Sequence, residues 1–197
     1  MKMFIGINDE KFLRGEKLPM TKREIRVLTL ALSHAYNAGV IVDIGSGTGS
    51  IAIEAAKFSP DGNIFAIEKN PAAIEILKKN IKKFSADNIV LVEDEASNAL
   101  KNFSKIDVAI IGGSGGKLEE ILDGVDSKLK VEGHVAANFI TIQTLSTCLD
   151  WLRRHKNYHY EAMQVQVNHL QAVGSYDMAQ ASNPIYIVVA QKGYAYE

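Results

Sequence analysis

Beyond residue 38 the chain alternates between short continuous apolar runs and longer segments whose apolar residues recur at helical spacing. A continuous apolar run predicts a strand buried on both faces, and the helical spacing predicts an amphipathic helix. The strands are predicted over 39–45, 63–68, 88–94, 106–113 and 133–140, and the helices over 50–58, 71–84, 95–101, 117–129 and 141–155. This alternation is typical of a parallel sheet covered by helices on both faces.

The two ends of the chain have different patterns. Residues 1–20 are irregular, and Thr21 with Glu24 three positions later forms a capping box that predicts a helix over 22–36, with an apolar face at 25, 28, 32 and 35. Two strands, 158–170 and 184–192, have no helical pattern between them and are expected to pair antiparallel.

Five parallel strands and a closing antiparallel hairpin describe the class I methyltransferase version of the doubly wound α/β fold, with a mostly parallel seven-stranded sheet. A plain Rossmann dehydrogenase fold lacks that closing hairpin. We expect one domain over 1–197, in which 1–36 form an N-terminal segment and helix and 37–197 form the Rossmann-like core.

Composition and charge narrow the function. A net charge of −1 argues against nucleic acid as a partner. Cys148 is the single cysteine, which excludes an internal disulfide and suits a cytoplasmic protein. The N-terminus has no signal-peptide pattern, no apolar run is long enough to span a membrane, and the scattered histidines form no metal-binding motif.

A glycine-rich loop, DIGSGTGS over 43–50, follows the first predicted strand. In an open α/β sheet, ligands bind at the carboxyl ends of the strands, where this loop lies. Gly45, Gly47 and Gly49 let the backbone turn tightly and approach a ligand closely, and their G-x-G-x-G spacing differs from the dinucleotide fingerprint. Asp43 brings a carboxylate to the loop, which repels a pyrophosphate and suits an ammonium group.

Acidic residues end the next two predicted strands. Glu68 stands where a carboxylate accepts hydrogen bonds from both hydroxyls of a ribose, and Glu95 with the backbone of Ala96 can meet an adenine. S-adenosylmethionine has an amino-acid end, a sulfonium, a ribose and an adenine but no phosphate, so these residues predict it as the cofactor. The alternative is that the glycines serve only a tight strand–helix turn.

A second glycine-rich stretch, IIGGSGG over 110–116, follows the fourth predicted strand. Gly112, Gly113, Ser114 and Gly115 present one hydroxyl and no larger side chain, so a bulky planar substrate can come close. The N–H groups that lead into the next helix can hold a carboxylate. A simple strand–helix turn is the alternative here too.

The first 26 residues hold seven lysines and arginines against four acidic residues. Arg14, Lys17, Lys22, Arg23 and Arg26 flank the entry to the fold. We take Arg23 and Arg26 as candidates to pair with an anionic substrate, with solvated surface charge as the alternative.

Several stretches together resemble CbiT, the decarboxylating precorrin methyltransferase of cobalamin biosynthesis, which also forms the C-terminal half of fused CobL-type enzymes. The stretches are GINDEKFLRGEKLPMTKREIRVLTLALS (6–33), VDIGSGTGSIAIEAA (42–56), VEDEASNAL (92–100), IDVAIIGGSGGKLEEIL (106–122) and ASNPIYIV (181–188). Of these, PMTKREIR and GGSGGKLEEIL are the most specific, since many methyltransferases share the first glycine loop.

The resemblance implies methyl transfer from S-adenosylmethionine to carbon 15 of a cobalt-precorrin, a tetrapyrrole, with decarboxylation of the ring C acetate side chain. It also implies a homotetramer and a separate protein that methylates carbon 5. Its cofactor residues carry over to Thr21, Gly45, Ser46, Gly47, Thr48, Gly49, Glu68 and Ala96. Asp94 stands where the family usually has glycine.

Two other functions stay open at this point. The chain could be a class I methyltransferase that acts on RNA or on another small metabolite. It could also be a scaffold that binds the cofactor without catalysis.

Overall fold

The computed structural model describes residues 6–16 and 18–193 and shows a seven-stranded sheet with helices on both faces. Lys17, named above among the basic residues, lies outside the described residues. The strands of the sheet are β1 (Val40–Ile44), β2 (Asn63–Glu68), β3 (Ile89–Glu93), β4 (Ile106–Ile111), β5 (Leu129–Phe139), β6 (Tyr158–Val165) and β9 (Ile185–Lys192), and β7 (Asn168–Val173) and β8 (Tyr176–Ala181) form a separate pair. The helices are α1 (Arg23–Leu32), α2 (Ser50–Phe58), α3 (Pro71–Phe84), α4 (Ala96–Ala99), α5 (Leu118–Lys128) and α6 (Ile142–Arg154).

The sheet has the order β3-β2-β1-β4-β5-β9-β6. Its first five strands are parallel, as the apolar runs predict, and β9 lies antiparallel between β5 and β6. The mostly parallel sheet with an antiparallel end is therefore confirmed. Because parallel strands end at the same edge of a sheet, the loops after β1, β2, β3, β4 and β5 meet along one edge.

The predicted strand over 158–170 is wrong in extent. β6 ends at Val165, and the chain then forms the β7–β8 hairpin before it returns as β9. Every residue of β7 and β8 is exposed. Such a hairpin has no buried face, and its sequence has no continuous apolar run of the kind that marks the buried strands.

The predicted capping box is also wrong. α1 begins at Arg23 with Lys22 as its N-cap, and the Lys22 side chain makes no capping hydrogen bond. The carboxylate of Asp9 takes that place, since its Oδ1 accepts a hydrogen bond of 3.1 Å from the Arg23 backbone N–H. The N-terminal segment thus caps α1 from outside the helix.

Two apolar layers flank the sheet. One contains α5 and α6 with the buried Trp151, and the other contains α1, α2 and α3 with Leu30 and Leu77. Local sequence fixes the helix starts: Asn70 Oδ1 accepts from Ala72 N at the start of α3, where Pro71 occupies the first turn. No helix within residues 6–16 and 18–193 is long and apolar enough to cross a membrane.

Candidate active site

A cavity of about 420 Å³ lies at the carboxyl edge of the parallel strands. The loops after β1 to β5 form its floor and walls, and residues 18–22 of the N-terminal segment form another wall. The sequence placed both glycine-rich loops at this edge, and the structure brings both into one cavity.

Eight of the ten predicted cofactor residues line this cavity. They are Thr21, Gly45, Ser46, Gly47, Thr48, Glu68, Glu95 and Ala96. Asp43 and Gly49 do not line it.

Hydrogen bonds to β2 and to the Glu68 side chain fix the conformation of the loop after β1. Gly45 N and Ser46 N both donate to Ile67 O at 3.0 Å, which ties the loop to β2. Gly47 N donates to Glu68 Oε2 at 2.8 Å. The φ values of Gly45 and Gly47, 70° and 57°, favour glycine at both positions, and at Gly45 a Cβ would also lie 2.5 Å from Gly113 O.

Glu68 is organised by backbone donors. Its Oε1 accepts from Lys69 N at 2.9 Å and from Asn70 N at 2.8 Å, while its Oε2 accepts from Gly47 N. These three bonds hold the carboxylate at the cavity wall and leave one of its about four lone-pair sites, on Oε2, free to accept from a ribose hydroxyl.

Asp43 lies beneath the loop. Its side chain is completely buried, and its Oδ2 accepts from Ala52 N at 3.1 Å in the first turn of α2. Burial raises the pKa of this carboxyl to about 7, opposed by hydrogen bonds from Ser46 and Ala52. Asp43 therefore supports the loop and α2 and does not offer the cavity the open carboxylate that the sequence suggested.

Gly49 is also a structural residue. It is the N-cap of α2 with φ of 78°, and a Cβ at this position would lie 2.0 Å from Leu77 Cδ1 of α3. The glycine lets α2 and α3 approach each other and contributes no surface to the cavity.

The end of β3 carries a charged bridge along the cavity wall. Glu95 Oε1 lies 3.1 Å from Lys69 Nζ and 2.9 Å from Lys117 Nζ. Hydrogen bonds from Lys117 and Lys69 lower the pKa of Glu95. Asp94, beside it, accepts a bond of 2.7 Å from Glu95 N and also lines the cavity.

The second glycine loop lines the cavity through Gly112, Gly113, Ser114 and Gly115. It is joined to the first loop, since Gly112 N donates to Ile44 O at 2.9 Å. A Cβ on Gly113 would have Gly45 O at 4.0 Å as its nearest neighbour, so that side of the loop is open.

The two predicted substrate cations lie elsewhere, and Arg26 requires a correction. Arg26 is 0% exposed, and its guanidinium pairs with Glu54 and Asp9, each at 2.8 Å. Arg23 pairs with Glu24 at 2.7 Å. Neither arginine lines the cavity, and Arg26 is a buried structural cation.

Sequence reasoning did not assign several other cavity residues to the site, although it named Lys22 among the basic residues at the entry to the fold. Lys22, Lys69 and Lys117 supply its cationic side chains, and Asn138, Ile140 and Ile185 its wall at β5 and β9. The signal that could have identified four of these residues is their position at a predicted strand end or helix start, or within two residues of one. They are Lys22, Lys69, Asn138 and Ile140.

The donors and acceptors of the cavity suit S-adenosylmethionine. Glu68 can accept from a ribose, the glycines of the first loop give close backbone approach, and the buried Thr48 Oγ1 has no partner among the described residues. Within residues 6–16 and 18–193 there is no group of three or more His, Cys, Asp or Glu that could hold a metal ion.

Known proteins match this chain over nearly its whole length. A family model described as a precorrin methyltransferase domain matches residues 12–192. A probable cobalt-precorrin-6B C(15)-methyltransferase (decarboxylating) from Sulfurisphaera tokodaii is 40% identical over 190 residues, which are 95% of this chain and 97% of the relative.

Solved structures of known proteins are also similar to this chain. The precorrin-6y C5,15-methyltransferase from Geobacter metallireducens has a TM-score of 0.90 and 41% identity, covering 96% of this chain and 97% of its own. A SAM-dependent O-methyltransferase from Thermotoga maritima, 16% identical, has a TM-score of 0.76 over 92% of this chain and 69% of its own, which confirms the methyltransferase fold. The family match, the similar sequence and the similar structures show that the chain belongs to the precorrin methyltransferase family.

Proposed function

We propose that this chain, as a single methyltransferase domain, transfers a methyl group from S-adenosylmethionine to carbon 15 of a cobalt-precorrin and removes the ring C acetate carboxyl as carbon dioxide, in cobalamin biosynthesis. The observation that carries this proposal is the joining of the two glycine loops in one cavity. The family to which the chain belongs supports the choice of substrate.

The cofactor half of the cavity is built from the ends of β1, β2 and β3. Glu68 would hold the ribose, Glu95 and the Ala96 backbone the adenine, and Thr21 and the loop from Gly45 to Thr48 the amino-acid end. S-adenosylmethionine, when bound, supplies a methyl group attached to a positively charged sulfur. The chain's own contribution is to fix the substrate carbon in line with that methyl group.

The substrate half is built from the loop Gly112–Gly115, the N-terminal segment and the ends of β5 and β9. The loop gives a flat backbone surface on which a planar macrocycle can lie. Lys22, Lys69 and Lys117 replace Arg23 and Arg26 as candidate partners for the substrate's carboxylates. Lys69 and Lys117 share Glu95, so a substrate carboxylate would compete with Glu95 for them.

We also propose a homotetramer, supported by the β7–β8 hairpin. The hairpin exposes Leu170, Tyr176 and Met178, which are 74%, 76% and 56% exposed. An isolated two-stranded hairpin with an apolar surface is marginal in water, so packing against other copies of the chain would stabilise it. Light scattering would show four copies for the native chain and fewer for Leu170→Asp.

Further parts of the proposal concern the methylation of carbon 5, the cellular location and the ligands that the protein does not bind. We propose that a separate protein methylates carbon 5, as the resemblance to the family implies. A single cysteine, Cys148, which is buried and free, suits a cytoplasmic location. We further propose that the protein binds no metal of its own and acts on neither nucleic acid nor membranes.

The test is incubation with labelled S-adenosylmethionine and cobalt-precorrin-6B, followed by mass spectrometry. The expected product has gained one methyl group and lost one carbon dioxide. Bulk tRNA serves as the comparison substrate. An unchanged macrocycle together with methylated tRNA would refute the proposal.

A further inference from the structure

Glu95 holds two lysines at the cavity wall through a single oxygen. Its Oε1 lies 3.1 Å from Lys69 Nζ and 2.9 Å from Lys117 Nζ, so the two ammonium groups flank one carboxylate oxygen. All three side chains line the cavity. Two cations arranged around one oxygen form a site for a carboxylate, and a carboxylate of the chain itself occupies it here.

The three residues of this cluster come from different strand ends. Lys69 directly follows β2, Glu95 follows β3, and Lys117 is the N-cap of α5 after the second glycine loop. Because β2 and β1 separate β3 from β4 in the sheet, Glu95 and Lys117 together reach past the ends of both strands, where the cofactor is proposed to lie. The cluster therefore joins the proposed adenine site to the proposed substrate surface.

Lys69 also lies against the substrate surface. Its Nζ is 3.4 Å from the point at which a Cβ on Gly115 would stand, so the ammonium group adjoins the second glycine loop. Lys69 and Lys117 are 56% and 45% exposed, and exposed ion pairs of long flexible side chains contribute little to stability. A carboxylate of a macrocycle that lies on the loop can therefore take both lysines from Glu95.

The displaced carboxylate of Glu95 then needs another partner. Without one, its negative charge would stand beside the incoming carboxylate and repel it. The 6-amino group of adenine is such a partner, because it donates hydrogen bonds and the adenine is proposed to lie at Glu95 and Ala96. A bound cofactor thus makes the release of the lysines easier, and a bound substrate frees Glu95 to hold the adenine.

We propose that Glu95 occupies the carboxylate site of Lys69 and Lys117 until a substrate carboxylate displaces it, and that this exchange couples cofactor binding to substrate binding. The inference rests on the proposed function. The coupling is reciprocal, since the factor by which the cofactor tightens substrate binding equals the factor by which the substrate tightens cofactor binding. The macrocycle then binds best to a chain that already holds its methyl donor.

The test uses cobalt-precorrin-6B with S-adenosylhomocysteine, the cofactor without its methyl group, so that no methyl group is transferred. Equilibrium dialysis, read by the visible absorbance of the macrocycle, gives its dissociation constant, and mass spectrometry verifies that the macrocycle is unchanged. In the native chain this constant should fall about threefold to tenfold when S-adenosylhomocysteine is present. Calorimetric titration of S-adenosylhomocysteine with and without the macrocycle should give the same factor.

Glu95→Gln removes the competing charge and keeps an oxygen that can accept from adenine. The macrocycle alone should bind this variant about threefold to tenfold more tightly than the native chain, and S-adenosylhomocysteine should add little. Glu93→Gln is the matched control, because Glu93 also ends β3, pairs with Lys78 at 2.8 Å and lies outside the cavity. It should keep the native coupling. Lys69→Met with Lys117→Met should weaken macrocycle binding with and without S-adenosylhomocysteine.

Three results would overturn the inference and leave the proposed function intact. They are a native chain that binds the macrocycle without any coupling, a Glu95→Gln variant that keeps the native coupling factor, and a Glu95→Gln variant that binds the macrocycle alone more weakly than the native chain. The last result would mean that Glu95 only positions the lysines. A native chain that neither binds nor methylates cobalt-precorrin-6B would instead overturn the proposed function, and this inference with it.

Discussion

Replacement of Arg26 by methionine tests whether this arginine is structural. Its guanidinium donates to Glu54 Oε2 and Asp9 Oδ1, to Thr21 O at 2.6 Å and to Ile7 O, and it lies 4.8 Å from the centre of the Phe12 ring. Arg26→Met would leave the buried carboxylate of Glu54 without its cation.

The magnitude follows from burial. Glu54 is completely buried, and its remaining donors are the backbone N–H groups of Gly6 and Ile7. Loss of one partner from a buried ion pair costs about 3–5 kcal/mol, which for a domain of this size lowers the melting temperature by roughly 10 °C. The matched control is Arg153→Met, whose exposed pair with Asp150 should contribute at most about 1 kcal/mol.

Chemical denaturation followed by the fluorescence of Trp151 measures the free energy of unfolding. The double variant Arg26→Met with Glu54→Leu should lose less than the sum of the single losses, because no buried charge is left unpaired. The reasoning fails if Arg26→Met unfolds like the control, or if it loses substrate affinity at unchanged stability. The second result would restore Arg26 as a substrate contact.

Three more changes test the loops and their support. Gly113→Val should abolish turnover and leave cofactor affinity nearly intact, since its side chain would enter open cavity; calorimetry that shows lost cofactor binding would contradict the division between the loops. Gly45→Ala should impair folding, because its Cβ would lie 2.5 Å from Gly113 O; thermal melting checks this, and wild-type stability would refute it. Burial raises the pKa of Asp43 to about 7, against an ordinary 3.8, so the folded state favours the protonated carboxyl. The contribution of Asp43 to the free energy of unfolding is therefore full below about pH 4. It is lost as the pH rises to about 7, and the loss is up to about 4 kcal/mol. Asp43→Asn should remove that slope, and the difference between the two stability curves cancels other groups such as His134, whose pKa burial lowers to about 4; parallel curves would contradict the assignment.

The sequence predicted the parallel sheet well because its strands are buried on both faces. A strand such as β4 consists almost wholly of apolar residues, and its short length and β-branched residues favour a buried strand over a buried helix. Because ligands bind at the carboxyl edge of such a sheet, most cavity residues could be located as well. The exposed β7–β8 hairpin has no buried face and so gave no comparable signal.

The error at Arg26 has a different physical cause. The buried face of α1 contains Ile25, Arg26, Thr29 and Leu30, whereas the apolar pattern placed Leu28 on that face, and Leu28 is 36% exposed. Arg26 was taken as a candidate partner for an anionic substrate because its actual partner, Glu54, is distant in sequence. Glu54 was the available signal, since an acidic residue among the apolar residues of α2 requires a buried cation.

The contact between the two glycine loops explains why the chain has both. Gly45 packs directly against the backbone of Gly113, and the N–H groups of Gly112 and Gly113 both donate to Ile44 O, at 2.9 and 3.3 Å. A shift of the cofactor loop would therefore displace the surface on which the substrate is proposed to lie. Methyl transfer depends on the alignment of the donor and acceptor atoms. A backbone support shared by the two loops would fix the positions of the two reactants relative to each other. The second loop is thus part of the support for the first, in addition to its proposed role as a substrate surface.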